Sequence, residues 1–259
     1  MRLQAFSILA SLSTFLLLVG PAGAAQTITV RGTTNLAPLV AVAATEYQSS
    51  HPGVAIDVKG NSSGAGIAAL KDHSADVAMS DVAVSDPDFV DTILGVVGFA
   101  FMVNPDVGIT NLTQKEAIAI YSGQVTNWKQ IGGNDQKIVL IGRDIGTGTR
   151  FVFEDKVAKT TVPLTIERNA VAVVKATAAT PGAIGYLASG FIGDEQKLVI
   201  SYEGIAPTPE NIRDHTYPFA TDEHLYVLKG AAPEVSAFVA FVRADTPVLR
   251  KNGVFRLEP

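Results

Sequence analysis

The sequence predicts an α/β fold with largely parallel sheets, because short β-type segments alternate with helical segments along most of the chain. Hydrophobic residues make up 47% of the 259 residues, which is enough for one large domain or two small ones with their own cores. Charged residues make up only 17%, so the composition is that of a folded chain rather than a disordered one.

The predicted elements follow one another as strand and helix from residue 26 onward. One helix has clear limits, since Thr113 and Glu116 have capping-box spacing and Gly123 follows as a stop. Aromatic residues of the periodic segments are expected in the core: Tyr47, Phe99, Phe101, Phe151 and Phe153. The predicted strands are 26–32, 54–60, 75–81, 96–104, 137–142, 183–188 and 225–230, and the predicted helices are 36–51, 64–73, 113–123, 147–159, 170–180 and 234–243.

Residues 1–25 predict a cleaved secretory signal peptide. Arg2 supplies a positive charge before the apolar run 7–20, and small residues follow, so cleavage is expected after Ala24 or Ala25. The apolar run is short and poorly flanked for a membrane span, and an uncleaved anchor is the alternative. We therefore expect a periplasmic protein.

Several function classes are disfavoured by composition. The chain has no cysteine, which excludes thiolate catalysis, thiolate metal sites and a lipid-modified cysteine at the cleavage site. With a net charge of −5, the protein is a poor candidate for non-specific binding to nucleic acid. The four histidines lack metal-ligand spacing, and the aspartates of 72–91 lack EF-hand spacing, so we expect no metal and no cofactor.

Four strand-to-helix turns are the candidate ligand sites, because open α/β sheets bind ligands beyond the carboxyl ends of their strands. In the last turn, Arg143 and Arg150 flank a run of Gly and Thr whose bare backbone N–H groups could face an anion. Each turn alone is more simply a helix start, but together with Asp81 they indicate one convergent anion site. The turns are 31–35, 59–66, 78–81 and 142–150.

A serine hydrolase is the alternative of another class. Residues 60–64, GNSSG, match G-x-S-x-G, with Ser62 as the nucleophile and Asp214 or Asp222 followed by His224 as the acid and base. No HGGG-like oxyanion loop is present, and this interpretation leaves the turn 142–150 unexplained. That turn also lacks the Lys-Ser/Thr of a Walker A loop, so nucleotide hydrolysis is not predicted.

Taken together, these turns resemble the periplasmic phosphate-binding proteins of ABC-type phosphate importers. The resemblance runs from about Thr27 to the C-terminus, and its most specific parts are the segment 111–133 and the R-x-x-G-[ST]-G-T loop. The order and approximate spacing of the motifs match. They are GTTNLAP, NSSGAG, ADVAMSDVAVSD, LTQKEAIAIYSGQVTNWKQIGG, GRDIGTGTRFVFED, PGAIGY and YPF.

The resemblance implies a two-lobed venus-flytrap fold, each lobe a mostly parallel sheet flanked by helices, with phosphate in the cleft. Lobe 1 would comprise 26–104 and 217–259, and lobe 2 would comprise 105–216. Arg150 follows the motif directly, and its side chain could point away from the cleft; Thr221 stands where relatives often have Arg. The implied ligand-binding residues are Thr34, Asn35, Ser62, Ser63 and Asp81 from one lobe and Arg143, Thr147, Gly148 and Thr149 from the other.

The implied function is that of a monomeric binding protein, not an enzyme, which delivers hydrogen phosphate to the membrane subunits of an ABC importer. Asp81 fits this ligand, because an ionised carboxylate only accepts hydrogen bonds and hydrogen phosphate has an O–H to donate, whereas sulfate has none. The alternatives with the same fold are a binding protein for arsenate, sulfate or molybdate, and a phosphate sensor.

Overall fold

A computed structural model of the chain describes residues 26–244, 246–251 and 253–255. The predicted signal peptide, residues 1–25, lies outside the described residues. Within the described ranges, no helix is both long and apolar enough to cross a membrane.

Strands and helices alternate as predicted, and every predicted element is present. The strands are β1 Gln26–Thr33, β2 Val54–Asn61, β3 Val77–Ser80, β4 Phe89–Val103, β5 Asn111–Leu112, β6 Val139–Gly142, β7 Thr165–Ile166, β8 Ala183–Ala188, β9 Val199–Tyr202, β10 Ala220–Leu228 and β11 Val254–Phe255. The helices are α1 Ala37–Ser50, α2 Ser63–Lys71, α3 Gln114–Tyr121, α4 Gly148–Lys156, α5 Ala170–Ala179, α6 Pro209–Arg213, α7 Pro233–Ala244 and α8 Thr246–Lys251.

Two strands begin earlier than predicted. β4 begins at Phe89 rather than at residue 96. The prediction missed its first half because exposed side chains interrupt the apolar run there. β10 begins at Ala220 rather than at residue 225. The prediction missed its first half because that half is polar, although it is largely buried. An apolar run is the usual signal of a buried strand, so the hydrophobic pattern did not indicate the first residues of either strand.

The strands form one mixed, continuous path of paired neighbours in the order β2-β1-β3-β10-β4-β8-β6-β7. β1 pairs in parallel with β2 and β3, and β6 pairs in parallel with β7 and β8. Between these parallel groups, β10 and β4 run antiparallel to each other and to their outer neighbours. Each group therefore directs the carboxyl ends of its parallel strands toward one edge.

β4 connects the two groups. Up to Gly98 it pairs with β10, and from Phe99 to Val103 it pairs with β8 and β9. The chain returns to the first group at Phe219, whose carbonyl accepts a hydrogen bond of 2.8 Å from the N–H of Phe99. The division into lobes 26–104 with 217–259 and 105–216 stays a prediction, and the pairing supports a first crossing near Gly98.

A buried aromatic cluster holds α4 against the sheet. Phe153 of α4 stacks on Tyr186 of β8 at 3.9 Å between ring centroids, and Phe101 of β4 lies 5.3 Å from Phe219. Full burial of one such side chain contributes about 1.5–3 kcal/mol.

The prediction that Phe151 belongs to this core is wrong, because its side chain is 45% exposed. It lies about 200° around the helix from Phe153, on the solvent side.

Candidate functional site

The centre of the candidate site is the fully buried carboxylate of Asp81, which directly follows β3. Its Oδ1 accepts a hydrogen bond from Asn35 Nδ2 at 3.1 Å, and its Oδ2 accepts one from Ser63 Oγ at 3.1 Å. Ser63 Oγ in turn accepts from the backbone N–H of Asp81 at 3.1 Å. The turns that follow three neighbouring strands therefore meet at one side chain.

The parallel pairing of β1 with β2 and β3 brings these turns together. α2 begins beside them with Ser62 as its N-cap, whose Oγ accepts from the N–H of Ala65 at 3.2 Å. Gly66 lets α2 approach β1, since a Cβ there would lie 2.6 Å from Gly32 Cα and 2.7 Å from the carbonyl oxygen of Arg31. The start of α2 thus lies next to Asp81.

The start of α4 faces this cluster from the second group of strands. Gly148 donates its N–H to Thr34 Oγ1 at 3.2 Å, and Thr149 Oγ1 donates to Asn35 Oδ1 at 3.1 Å. A Cβ on Gly148 would overlap the hydroxyl of Thr33 and lie 2.8 Å from Asp81 Oδ2. Glycine is therefore the residue that permits this approach.

The two arginines of the turn have different surroundings. Arg150 is buried and ion-paired within α4, with Nε 2.6 Å from Glu154 Oε1, so its charge is used inside the helix. Arg143 is partly exposed and donates from Nη2 to the carbonyl of Arg168 at 3.3 Å, while its buried Nε has no partner. Among the described residues, no carboxylate lies within 4.0 Å of Arg143.

Burial lowers the pKa of Arg143, although an arginine stays charged in proteins. The positive charge next to α4 is thus partly desolvated and lacks an acidic partner among the described residues. A desolvated charge of this kind interacts strongly with an approaching anion, because the effective dielectric constant is lower than in water.

The structure brings most of the predicted residues into one hydrogen-bonded cluster, which we call the Asp81 cluster: Thr34, Asn35, Ser63, Asp81, Gly148 and Thr149. Ser62 and Thr147 stand next to it as helix caps, and Thr147 Oγ1 accepts from the N–H of Arg150 at 3.4 Å. Arg143 contacts Arg168 rather than a member of the cluster. The role of all these residues as ligands stays a prediction.

The sequence patterns missed three buried polar residues of the same centre. Thr33 Oγ1 accepts from the N–H of Asn35 at 3.1 Å, and Thr221 Oγ1 donates to the carbonyl of Asp81 at 2.6 Å. Glu223 is fully buried, and none of the residues that the structure describes donates a hydrogen bond to its carboxylate oxygens. The only available signal was the polar run TDEH at 221–224, directly before the apolar segment that begins at Leu225.

Burial raises the pKa of Asp81, while hydrogen bonds from Thr33, Asn35 and Ser63 act in the opposite direction by favouring the ionised form. Burial also raises the pKa of Glu223 well above its ordinary value, and the neighbouring charge of Asp81 adds to the effect. The candidate site therefore contains two fully buried carboxyl groups, those of Asp81 and Glu223, on neighbouring parts of the sheet.

Comparison with known proteins gives consistent matches. The PBP superfamily domain matches residues 19–246. Phosphate-binding protein PstS of Bacillus subtilis (strain 168) is 31% identical over 234 residues, which cover 87% of this chain and 78% of that protein. A crystal structure of an ABC-type phosphate transport receptor from Vibrio cholerae has a TM-score of 0.80 at 30% identity, covering 90% of this chain and 100% of the other.

A putative phosphate ABC transporter substrate-binding protein from Clostridium perfringens, solved with bound phosphate, has the same fold. Its TM-score is 0.76 at 23% identity, over 90% of this chain and 100% of the other. Together with the Vibrio cholerae structure, this likeness confirms the predicted two-lobed α/β fold class.

Proposed function

The chain belongs to the PBP superfamily, in the family of the phosphate-binding proteins PstS, and on that basis we propose that it binds inorganic phosphate as hydrogen phosphate. The ligand would lie in the cleft between the two lobes and would be delivered to the membrane subunits of an ABC-type importer. The observation that carries this proposal is the buried Asp81 carboxylate, enclosed by Ser63 on one side and by Gly148 at the start of α4 on the other.

The donors around Asp81 suit a tetrahedral anion. The starts of α2 and α4 offer backbone N–H groups, and Thr34, Ser63 and Thr149 offer hydroxyls. Hydrogen bonds to charged groups contribute about 1.5–3 kcal/mol each. Half a dozen of them would exceed the roughly 8 kcal/mol of micromolar binding, and the remainder would offset the costs of closure and ordering.

Arg143 would add charge from the second lobe. Its guanidinium matches the geometry of an oxyanion with two parallel N–H donors, and its Nε is without a partner among the described residues. Arg150 is not required for this role, because its charge is already paired with Glu154.

Asp81 would select against sulfate. Its carboxylate accepts a hydrogen bond from the O–H of hydrogen phosphate, but sulfate brings no proton at neutral pH and would face an unpaired negative charge. Leaving a buried charged acceptor unpaired costs upward of about 1–3 kcal/mol, before like-charge repulsion is added. Arsenate carries the same proton and has a similar shape, so its rejection would be much weaker.

The contacts favour this function over a serine hydrolase that uses Ser62. The oxygen of the Ser62 hydroxyl accepts the cap hydrogen bond, and Nδ1 of His224 lies 3.0 Å from both carboxylate oxygens of Asp91. No hydrogen bond joins Ser62 to His224 among the described residues. We therefore infer a binding protein rather than an enzyme. We further propose that it acts as a monomer in the periplasm after removal of the predicted signal peptide, residues 1–25.

Calorimetric titration of the mature protein tests the proposal. The protein is unfolded and refolded first to remove carried-over ligand, and is then titrated with phosphate, sulfate, arsenate and molybdate. Tight binding of phosphate without heat from sulfate is expected. Binding heat from sulfate or molybdate alone would identify a receptor for another oxyanion. Absence of binding heat with every anion would contradict the proposal, and ester hydrolysis would then be assayed with Ser62→Ala as the control.

A further inference from the structure

Glu223 is the buried titratable group that the proposed binding chemistry does not use. β10 pairs antiparallel with β3, and His224 stands opposite Ser80, which places Glu223 next to Asp81. The Glu223 side chain is 0% exposed, and no described donor reaches its oxygens. Continuing the same register sets Glu223 opposite Asp81, and residues that stand opposite each other in an antiparallel pair direct their side chains to the same face.

We propose that Glu223 is a positioning and specificity residue for the anion site, and that the Asp81–Glu223 pair carries one shared proton that resides on Glu223. The proposal rests on the proposed function, because it explains how Asp81 is kept as an ionised acceptor for the ligand. When two carboxyl groups lie side by side in a buried site, ionisation of one strongly disfavours ionisation of the other, so the pair retains one proton.

The surroundings decide which carboxyl group holds the proton. Asp81 receives side-chain hydrogen bonds from Asn35 and Ser63, which stabilise its ionised form, whereas Glu223 receives none from the described residues. A protonated Glu223 can donate its O–H to Asp81, and this bond satisfies both groups. Burial and the nearby charge of Asp81 raise the pKa of Glu223 well above its ordinary value, in agreement with this assignment.

The other titratable groups near β10 do not supply a competing cation. Asp222 adds a further negative charge that favours the protonated form of Glu223, and its Oδ1 lies 3.6 Å from His215 Nε2. His224 is engaged with Asp91 of β4. Among the described residues, no lysine or arginine nitrogen lies within 4.0 Å of either carboxyl group of the pair.

The consequence for recognition follows from the position of the proton. With Glu223 as the donor, Asp81 has a fixed orientation and keeps only acceptor sites for the ligand. If Glu223 cannot donate, the buried Asp81 takes up the proton itself and can donate to a fully ionised anion. Sulfate would then no longer face an unpaired acceptor, so the discrimination against it would fall.

The experiment compares Glu223→Gln, Glu223→Met and the control Asp222→Asn. The amide of Gln keeps a donor toward Asp81, whereas Met fills a similar volume without one. We expect calorimetric titration to show the wild-type preference for phosphate over sulfate in Glu223→Gln and Asp222→Asn, and a preference lowered at least tenfold in Glu223→Met. An unchanged preference in Glu223→Met would overturn the proposal.

Infrared spectroscopy of the wild-type protein at neutral pH provides the second readout. A protonated carboxylic acid band should be present, should persist in Asp222→Asn and should disappear in Glu223→Gln. Absence of the band in the wild type, or its persistence in Glu223→Gln, would contradict the shared proton. This measurement remains decisive if Glu223→Met does not fold. Absence of any phosphate binding by the wild type would instead refute the proposed function, while the infrared result would stand alone.

Discussion

The backbone N–H of Gly148 donates a hydrogen bond of 3.2 Å to the hydroxyl of Thr34, across 114 positions of sequence. The two residues lie in the two proposed lobes, and both are predicted to bind the anion. An anion bound between them would replace this neutral contact with charge-assisted hydrogen bonds from both sides. Ligand binding would thereby favour the closed arrangement of the lobes.

Gly148→Ala should abolish tight phosphate binding. The added Cβ would overlap the Thr33 hydroxyl and crowd Asn35 and Asp81 at 2.8 Å, which forces α4 away from the Asp81 cluster. We expect at least a tenfold loss of affinity in calorimetry, equivalent to about 1.4 kcal/mol. Gly64→Ala is the matched control, because a Cβ there meets nothing within 4 Å. Equal affinities of the two variants would contradict the predicted role of Gly148.

Asp81→Asn should relax the discrimination between phosphate and sulfate. The Asn amide can donate a hydrogen bond and carries no charge, so sulfate no longer meets an unpaired acceptor. We expect the ratio of the two affinities, measured by competition, to fall at least tenfold. Asp86→Asn serves as the control, since that carboxylate pairs with Lys71 at 2.9 Å. Retained discrimination in Asp81→Asn would remove Asp81 from the selectivity mechanism.

Arg143→Gln and Arg150→Gln should have opposite profiles. Loss of Arg143 removes a charged donor of about 1.5–3 kcal/mol, so affinity should fall about tenfold to a hundredfold with little change in thermal stability. Loss of Arg150 leaves Glu154 unpaired in a mostly buried position, so the free energy of unfolding should fall by about 1–3 kcal/mol. Calorimetric titration and thermal unfolding separate the two. A greater affinity loss in Arg150→Gln would reverse our assignment.

The stability of the wild type should fall relative to Glu223→Gln as the pH rises above about 4.5. Because folding raises the pKa of Glu223, the folded state holds a proton that the unfolded state releases, and that stabilisation is lost as the pH rises toward the folded pKa. The slope is at most about 1.4 kcal/mol per pH unit for one proton. Denaturant unfolding from pH 4 to pH 8 measures it, and parallel stability curves would show an ordinary pKa.

Alternation of strands and helices was sufficient to predict the fold class, and the Gly- and Thr-rich turns indicated where the site lies. The pattern was informative there because a parallel strand followed by a helix leaves backbone donors at a known edge. It failed at Phe151, whose apolar side chain faces solvent on α4. Hydrophobicity alone does not distinguish two aromatic residues on opposite sides of one short helix.

The base of the candidate site could not be predicted from local sequence. Thr221 and Glu223 belong to β10, which is nearly the last strand in the chain and yet lies beside β3 near the middle of the sheet. Because these residues are polar, the pattern did not indicate a buried strand, and their proximity to Asp81 depends on strand order rather than on spacing. Helix-capping positions such as Ser62 could be predicted from the sequence, because a cap and its helix are adjacent in the chain.

The single strand β4 belongs to both groups of strands, with its partner changing between Gly98 and Phe99. Each group uses part of β4 as a strand, so we expect that neither half folds as an autonomous unit when the chain is divided there. Unfolding should accordingly be one cooperative transition rather than two, and fragments cut at this position should regain structure only when they are mixed.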